Sequence, residues 1–233
     1  MINEDNEYPF IARINADEPF SVSFSLSEVS DIEDFVARQD ELAKIHKMLS
    51  GDGSRQIVIL YGLGGIGKTQ LAVAYAKRRK DDYSATFWLN SKDEDSLKQG
   101  FARVARQILR EHPSASRLSS VDITGNLDEV VEAVKQWLSL PKNSKWLAVC
   151  DNYDNPKVPG NTDPGAFDIR KFLPEAYQGS IIIVTRSAEV KTGHRVRVGK
   201  LVDVRESLQI LSNVSGRECD INGKLYSDLR TKS

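Results

Sequence analysis

The stretch Gln56-Ile57-Val58-Ile59-Leu60-Tyr61-Gly62-Leu63-Gly64-Gly65-Ile66-Gly67-Lys68-Thr69 decides the reading of this chain. Its first half is a short, apolar, β-branched run, the profile of a strand buried on both faces of a parallel sheet. Its second half fits G-x-x-x-x-G-K-[ST]. Glycines let successive backbone N–H groups turn inward as an anion nest. The helix that follows aims its N-terminal donors and partial positive charge at the same point. Gly62, Leu63, Gly64, Gly65, Ile66, Gly67 and Gln70 are therefore expected to surround a phosphate chain. Lys68 is expected to reach the β- and γ-phosphates, facing solvent when no ligand is bound, and the Thr69 hydroxyl is expected to ligate Mg²⁺.

Outward from this loop, strand-like and helical runs alternate. Asp40 is read as capping a helix whose apolar positions are Leu42, Ile45, Met48 and Leu49. Thr69 to Lys80 is read as an Ala-rich helix closed by the basic run Lys77-Arg78-Arg79-Lys80. Thr86-Phe87-Trp88-Leu89 forms a second strand candidate. Two amphipathic helices follow, one carrying Leu97, Phe101, Val104, Ala105 and Ile108, the other Leu127, Val130, Val131, Val134, Trp137 and Leu138. Trp146-Leu147-Ala148-Val149-Cys150 is a third strand, Ile181-Ile182-Ile183-Val184 a fourth, and Arg195-Val196-Arg197-Val198 a fifth. The pattern predicts an α/β fold, a mostly parallel five-stranded sheet sandwiched between helices. Upstream, Phe20 to Leu26 alternates apolar and polar residues, so 1–30 is read as an extended arm or linker packed against the domain.

Ligands of such sheets bind beyond the carboxyl ends of the strands. Asp151 ends the third strand and is expected to hold Mg²⁺ opposite Thr69, because phosphate oxygens leave only one or two protein ligands to be supplied. Asn152 stands next to it. An amide orients water but cannot take its proton, and Asp154 is the nearest alternative acid. Arg186 follows the fourth strand, where a guanidinium can fork onto γ-phosphate oxygens. An ion pair with an acid such as Glu189 is the competing reading for Arg186.

Composition bounds the rest. The 233 residues carry 28% charged side chains and a net charge of −1, with no dominant basic segment, so nucleic acid is not expected as a partner. No apolar stretch has the length of a membrane span, and the acidic start Met1-Ile2-Asn3-Glu4-Asp5 lacks the character of a signal peptide. Cys150 lies in an apolar run, as a buried thiol would. A cytoplasmic protein is expected.

Four ordered segments carry a resemblance. Gly62 to Leu71, GLGGIGKTQL, resembles the Walker A motif of NB-ARC nucleotide-binding domains, which belong to the STAND class of P-loop NTPases. Phe35-Val36-Ala37-Arg38-Gln39-Asp40-Glu41-Leu42 resembles their hhGRExEL segment, with Ala37 where glycine is usual. Trp146 to Asn152 resembles their Walker B motif. Gly179 to Ser187, GSIIIVTRS, resembles their sensor-1 motif, with Val184 where threonine is common. The wording is most similar to NOD-like receptor (NLR) proteins of filamentous fungi.

The resemblance implies a P-loop domain over 31–205, with 206–233 beginning a helical (ARC) subdomain or tail. It implies an ATP/ADP switch core with Mg²⁺, in which exchange and slow hydrolysis control oligomerisation in immune or other signalling. Adenine is expected near Val36 and Arg38. Lys68, Asp151 and Arg186 are implied to serve whatever hydrolysis occurs. The partners implied are the C-terminal subdomains, sensor repeats and effector domain of a longer receptor, and further copies of itself. The alternative is a catalytic P-loop ATPase or kinase with steady turnover. A third reading is an interaction module that has lost nucleotide binding.

Overall fold

The computed structural model describes residues 20–24, 35, 38–51, 53–113, 115, 118–201, 207–208, 212, 217–219 and 225–228. Its elements in order are α1 (Gln39–Leu49), β1 (Gln56–Tyr61), α2 (Lys68–Arg78), β2 (Ala85–Asn90), α3 (Glu94–Glu111), α4 (Leu127–Leu138), β3 (Trp146–Asp151), β4 (Ser180–Thr185) and β5 (His194–Arg197). A short antiparallel pair, β6 (Arg217–Cys219) and β7 (Leu225–Asp228), follows.

The five strands β1–β5 form one sheet in the order β2-β3-β4-β1-β5, and every pairing in it is parallel. This is the α/β P-loop architecture that the alternating pattern predicts. Two cores lie on its two faces. Val58 and Leu60 of β1, Leu147 and Val149 of β3, and Ile182 and Val184 of β4 pack with Leu42, Ile45 and Leu49 of α1 and Leu71, Ala72 and Tyr75 of α2. Their neighbours Ile59, Ala148, Cys150, Ile181 and Ile183 face the other way, onto Leu97, Phe101, Ala105 and Ile108 of α3 and Val130, Val134 and Trp137 of α4. Alternate residues of a strand point to opposite faces, so a sheet covered on both sides demands uninterrupted apolar runs. That is why the Ile/Val/Leu runs were readable as strands. Burial also drives the Cys150 thiol up to about 12, which keeps it protonated and unreactive.

Two local expectations are corrected. Asp40 does not cap α1. The cap is Arg38, whose backbone is left-handed (φ 66°), while Asp40 lies inside the first turn, where its charge favours the helix dipole. The α2 helix ends at Arg78 rather than Lys80, and a 3-10 turn at Lys80–Asp82 follows. Among the described residues 20–24 no strand forms. The segment is nevertheless docked: Val22 is buried and its N–H donates to the Ser84 carbonyl at 2.8 Å, while Phe20 meets Trp137 edge-on at 4.0 Å. Leu26, Val36 and Ala37 lie outside the described residues.

Candidate functional site

Strand register brings the site together. Tyr61 pairs with Thr185 and Leu60 with Val184 across β1 and β4, while Cys150 pairs with Ile183 across β3 and β4. The residues that come next along each strand, Gly62, Arg186 and Asp151, therefore emerge at one end of the sheet. Between β1 and α2 the loop turns through left-handed conformations at Gly65 (φ 71°) and Gly67 (φ 91°). These are accessible to glycine at little cost and turn the backbone donors at the start of α2 toward a common cleft. That cleft, about 400 Å³ in volume, is bordered by the loop, Lys68, Thr69, Gln70, Asn152, Asp154 and Arg186.

Lys68 does not face solvent. It is 7% exposed, and its ammonium folds back to donate to the carbonyls of Gly62 and Leu63 at 3.0 and 2.8 Å. A charged amine largely withdrawn from water needs acceptors, and the carbonyls of its own loop supply two. Burial lowers its pKa, against which Asp154 and Asp151 act to raise it.

Thr69 and Asp151 meet directly. The Thr69 hydroxyl donates to Asp151 Oδ1 at 3.0 Å, and the Asn152 N–H donates to the same oxygen at 3.0 Å. Asn152 takes up a left-handed conformation (φ 65°), which asparagine tolerates better than most residues. Asp151 is buried, and burial raises its pKa, partly offset by the bonds from Thr69 and the Asn152 N–H. A carboxyl group with a raised folded pKa binds its proton more readily folded than unfolded. Its stabilising contribution is therefore full below the unfolded value and is lost as pH rises through the folded one. The ionised Asp151 thus costs stability at neutral pH. Asp151→Asn, which keeps an acceptor for Thr69, is expected to melt up to about 4 °C higher than the wild type at pH 7 without Mg²⁺. The gap should narrow as pH falls through the raised pKa, in melting curves collected from pH 7 downward.

Thr69 and Asp151 suit a hard cation whose shell is completed by phosphate and water. Among the described residues no cluster of three His, Cys, Asp or Glu side chains offers a self-sufficient metal site. Gln70 adds a buried side-chain oxygen at the cleft with no hydrogen-bond partner among the described residues.

Arg186 is brought to the cleft, but its ion-pair partner is Asp154 rather than Glu189. Asp154 Oδ1 accepts from the Arg186 main-chain N–H at 2.6 Å and Oδ2 from Nε at 2.5 Å. With both oxygens so engaged, Asp154 is a poor stand-in for the acid that Asn152 replaces. This pairing, across 32 residues, had no signal in the sequence. Arg38 also behaves unexpectedly. Its buried side chain braces the loop from behind, Nη2 donating to the carbonyls of Ile66 and Gly199, both at 2.9 Å. Leu63, at the loop's tip, is exposed.

Residues 38–151 match the family model of the NB-ARC domain. The chain is 25% identical over 192 residues to a nucleotide-binding leucine-rich repeat (NLR)-like protein of Hyaloscypha variabilis, covering 76% of this chain and 18% of that protein. It is 29% identical over 185 residues to a putative disease resistance protein of Arabidopsis thaliana, covering 77% of this chain and 15% of that one. The chain thus spans less than a fifth of either relative's length. Among solved structures, Cdc6p from Pyrobaculum aerophilum superposes with a TM-score of 0.52 at 15% identity, over 84% of this chain and 52% of that one, a likeness of fold alone. Among the described residues no helix is long and apolar enough to cross a membrane.

Proposed function

Residues 38–151 form an NB-ARC domain, and from that premise we propose that this chain is the ATP/ADP-holding core of a molecular switch in a longer receptor of NLR type. By family and fold this is a nucleotide-binding P-loop NTPase domain. The observation that carries the switch reading is the cleft lined by Lys68, Thr69 and Arg186, with the buried Asp151 held directly behind it by the Thr69 hydroxyl. In this reading the N–H groups of loop 62–67 and of α2 hold the α- and β-phosphates. Lys68 exchanges its two loop carbonyls for β- and γ-oxygens. Mg²⁺, when bound, would neutralise phosphate charge from a seat at Thr69 and Asp151. Arg38 sets the loop's rear wall, and the base lies toward it.

Turnover is slow in this proposal. Asn152 has no proton-accepting group at neutral pH, and both Asp154 oxygens are engaged by Arg186. What the cleft can do well is distinguish a triphosphate from a diphosphate. A ligand shifts a conformational equilibrium only through its differential affinity for the two states, and Arg186 is the side chain placed to supply that difference. Oligomerisation, an effector and a cytoplasmic signalling role, immune or otherwise, belong to the same proposal. The immune part of that role is supported by the NLR-like description of one relative and the disease-resistance description of the other.

Arg186→Ala is expected to weaken Mg-ATP binding about fivefold and Mg-ADP binding less than twofold, as isothermal titration would read. Equal losses for the two nucleotides would remove Arg186 from this role. Many turnovers per second by the wild-type chain would instead favour the catalytic alternative.

A further inference from the structure

The pairing of Asp154 with Arg186 suggests how the preference between nucleotides is set. We propose that Asp154 is a positioning residue that holds the Arg186 guanidinium back from the γ-phosphate position and so weights the cleft toward the diphosphate. The inference rests on the reading of Arg186 given above and adds a regulator to it.

Asp154 is the fixed partner of the pair. The Tyr153 N–H donates to the Val184 carbonyl at 2.9 Å, continuing β3 against β4, and the Asp154 N–H closes a tight turn onto the Asn152 carbonyl at 2.8 Å. The buried Tyr153 hydroxyl is itself pinned, donating to the Phe167 carbonyl at 2.8 Å and accepting from the Ile169 N–H at 3.2 Å. The carboxylate that follows is therefore held at the cleft's edge, 25% exposed, against 65% for Arg186. The arginine is the partner with room to move. Its stem lies along the phosphate loop, with Cδ only 3.5 Å from where a side chain on Gly64 would begin.

The charge of Asp154 reaches both cations that a γ-phosphate needs. It pairs with Arg186 directly, and it is the strongest charge acting on Lys68. A diphosphate makes no demand on Arg186 and leaves the pair closed. A triphosphate must draw the guanidinium away from Asp154 and bring a further negative charge toward that carboxylate. Exposed ion pairs contribute little to folding, so loss of this one should hardly alter the melting temperature. An altered nucleotide preference would then report the pairing itself.

The variant to use is Asp154→Asn. Its side-chain oxygen still accepts from the Arg186 main-chain N–H, while the amide nitrogen that replaces Oδ2 opposes Nε and carries no charge. Dissociation constants for Mg-ATP and Mg-ADP are measured by titration calorimetry on the wild type, D154N, R186A and the double variant. The expected result is about fivefold tighter Mg-ATP in D154N, with Mg-ADP changed less than twofold. In the R186A background the gain from D154N should shrink to about twofold, because the group it releases is gone and only the action of the carboxylate's charge on Lys68 and the phosphate is left. Unchanged or weaker Mg-ATP binding in D154N overturns the proposal, and so does a gain that persists undiminished without Arg186. If R186A is selective for ATP but D154N is silent, only the role of Asp154 falls. If the wild type binds neither nucleotide, or R186A weakens both equally, the reading of Arg186 falls with it.

Discussion

Replacing Lys68 with alanine is expected to lower Mg-ATP affinity about a hundredfold, with a melting temperature only about 2–4 °C below the wild type. Lys68 sits at the first turn of α2, in the mouth formed by the loop. Its ammonium now satisfies the carbonyls of Gly62 and Leu63. A bound polyphosphate offers the same three N–H donors more strongly charged acceptors, and charge-assisted bonds in a partly desolvated site are worth roughly twice neutral ones. Truncation leaves the phosphate charge without its main side-chain counter-ion, hence the large loss in binding. The smaller loss in stability is the cost of two loop carbonyls returned to water or left loosely paired. Calorimetric titration gives the first number and a melting curve the second. An affinity within about threefold of the wild type would show that Lys68 does not contact the ligand.

The largest effect on the fold is expected at Gly179, the residue that opens the GSIIIVTRS segment. Its φ is +85°, and a methyl group there would stand 2.2–2.5 Å from three atoms of the Trp146 indole. Neither side can yield cheaply. Trp146 is 1% exposed and its indole N–H donates to the Leu138 carbonyl at 3.0 Å. The Gly179 carbonyl accepts from the Gln56 N–H at the start of β1, and the neighbouring Gln178 amide donates to the carbonyls of Leu138, Leu140 and Asn143. Left-handed strain together with overpacking against a fixed ring is worth about 3–4 kcal/mol. For a domain of this size that lowers the melting temperature by about 10 °C. A Gly179→Ala protein that melts within about 2 °C of the wild type would mean that the ring can move aside.

Most of the fold was legible because it is periodic. A sheet covered on both faces turns each strand into an apolar run, and α3 and α4 present one apolar face each, so β1 to β4 and α4 appear in the sequence within a residue of their observed ends, while the apolar positions Leu97 to Ile108 mark α3 three residues inside each end. The cleft was legible for a related reason: strand ends of a parallel sheet collect at one edge, so Gly62, Asp151 and Arg186 could be placed together before any contact was known. What escaped were pairings that no local pattern encodes. The closure of Arg186 onto Asp154 joins two loops 32 residues apart. The brace from Arg38 to Gly199 spans 161 residues. The left-handed cap at Arg38 escaped because Asp40 is the better cap by residue type, and the chain uses the arginine for its side chain instead. The inward fold of Lys68 escapes the motif, because residue type does not show that the carbonyls of its own loop supply two acceptors.

The most direct test of the central claim, that the cleft between the loop and the β3 and β4 ends holds nucleotide phosphates, is titration of Mg-ADP and Mg-ATP into the purified wild-type chain. One site is expected for either nucleotide, with a dissociation constant on the order of micromolar and a melting temperature that rises with ligand concentration as binding to the folded state requires. Absence of binding heat and of any melting shift with both nucleotides at about millimolar concentration would contradict it.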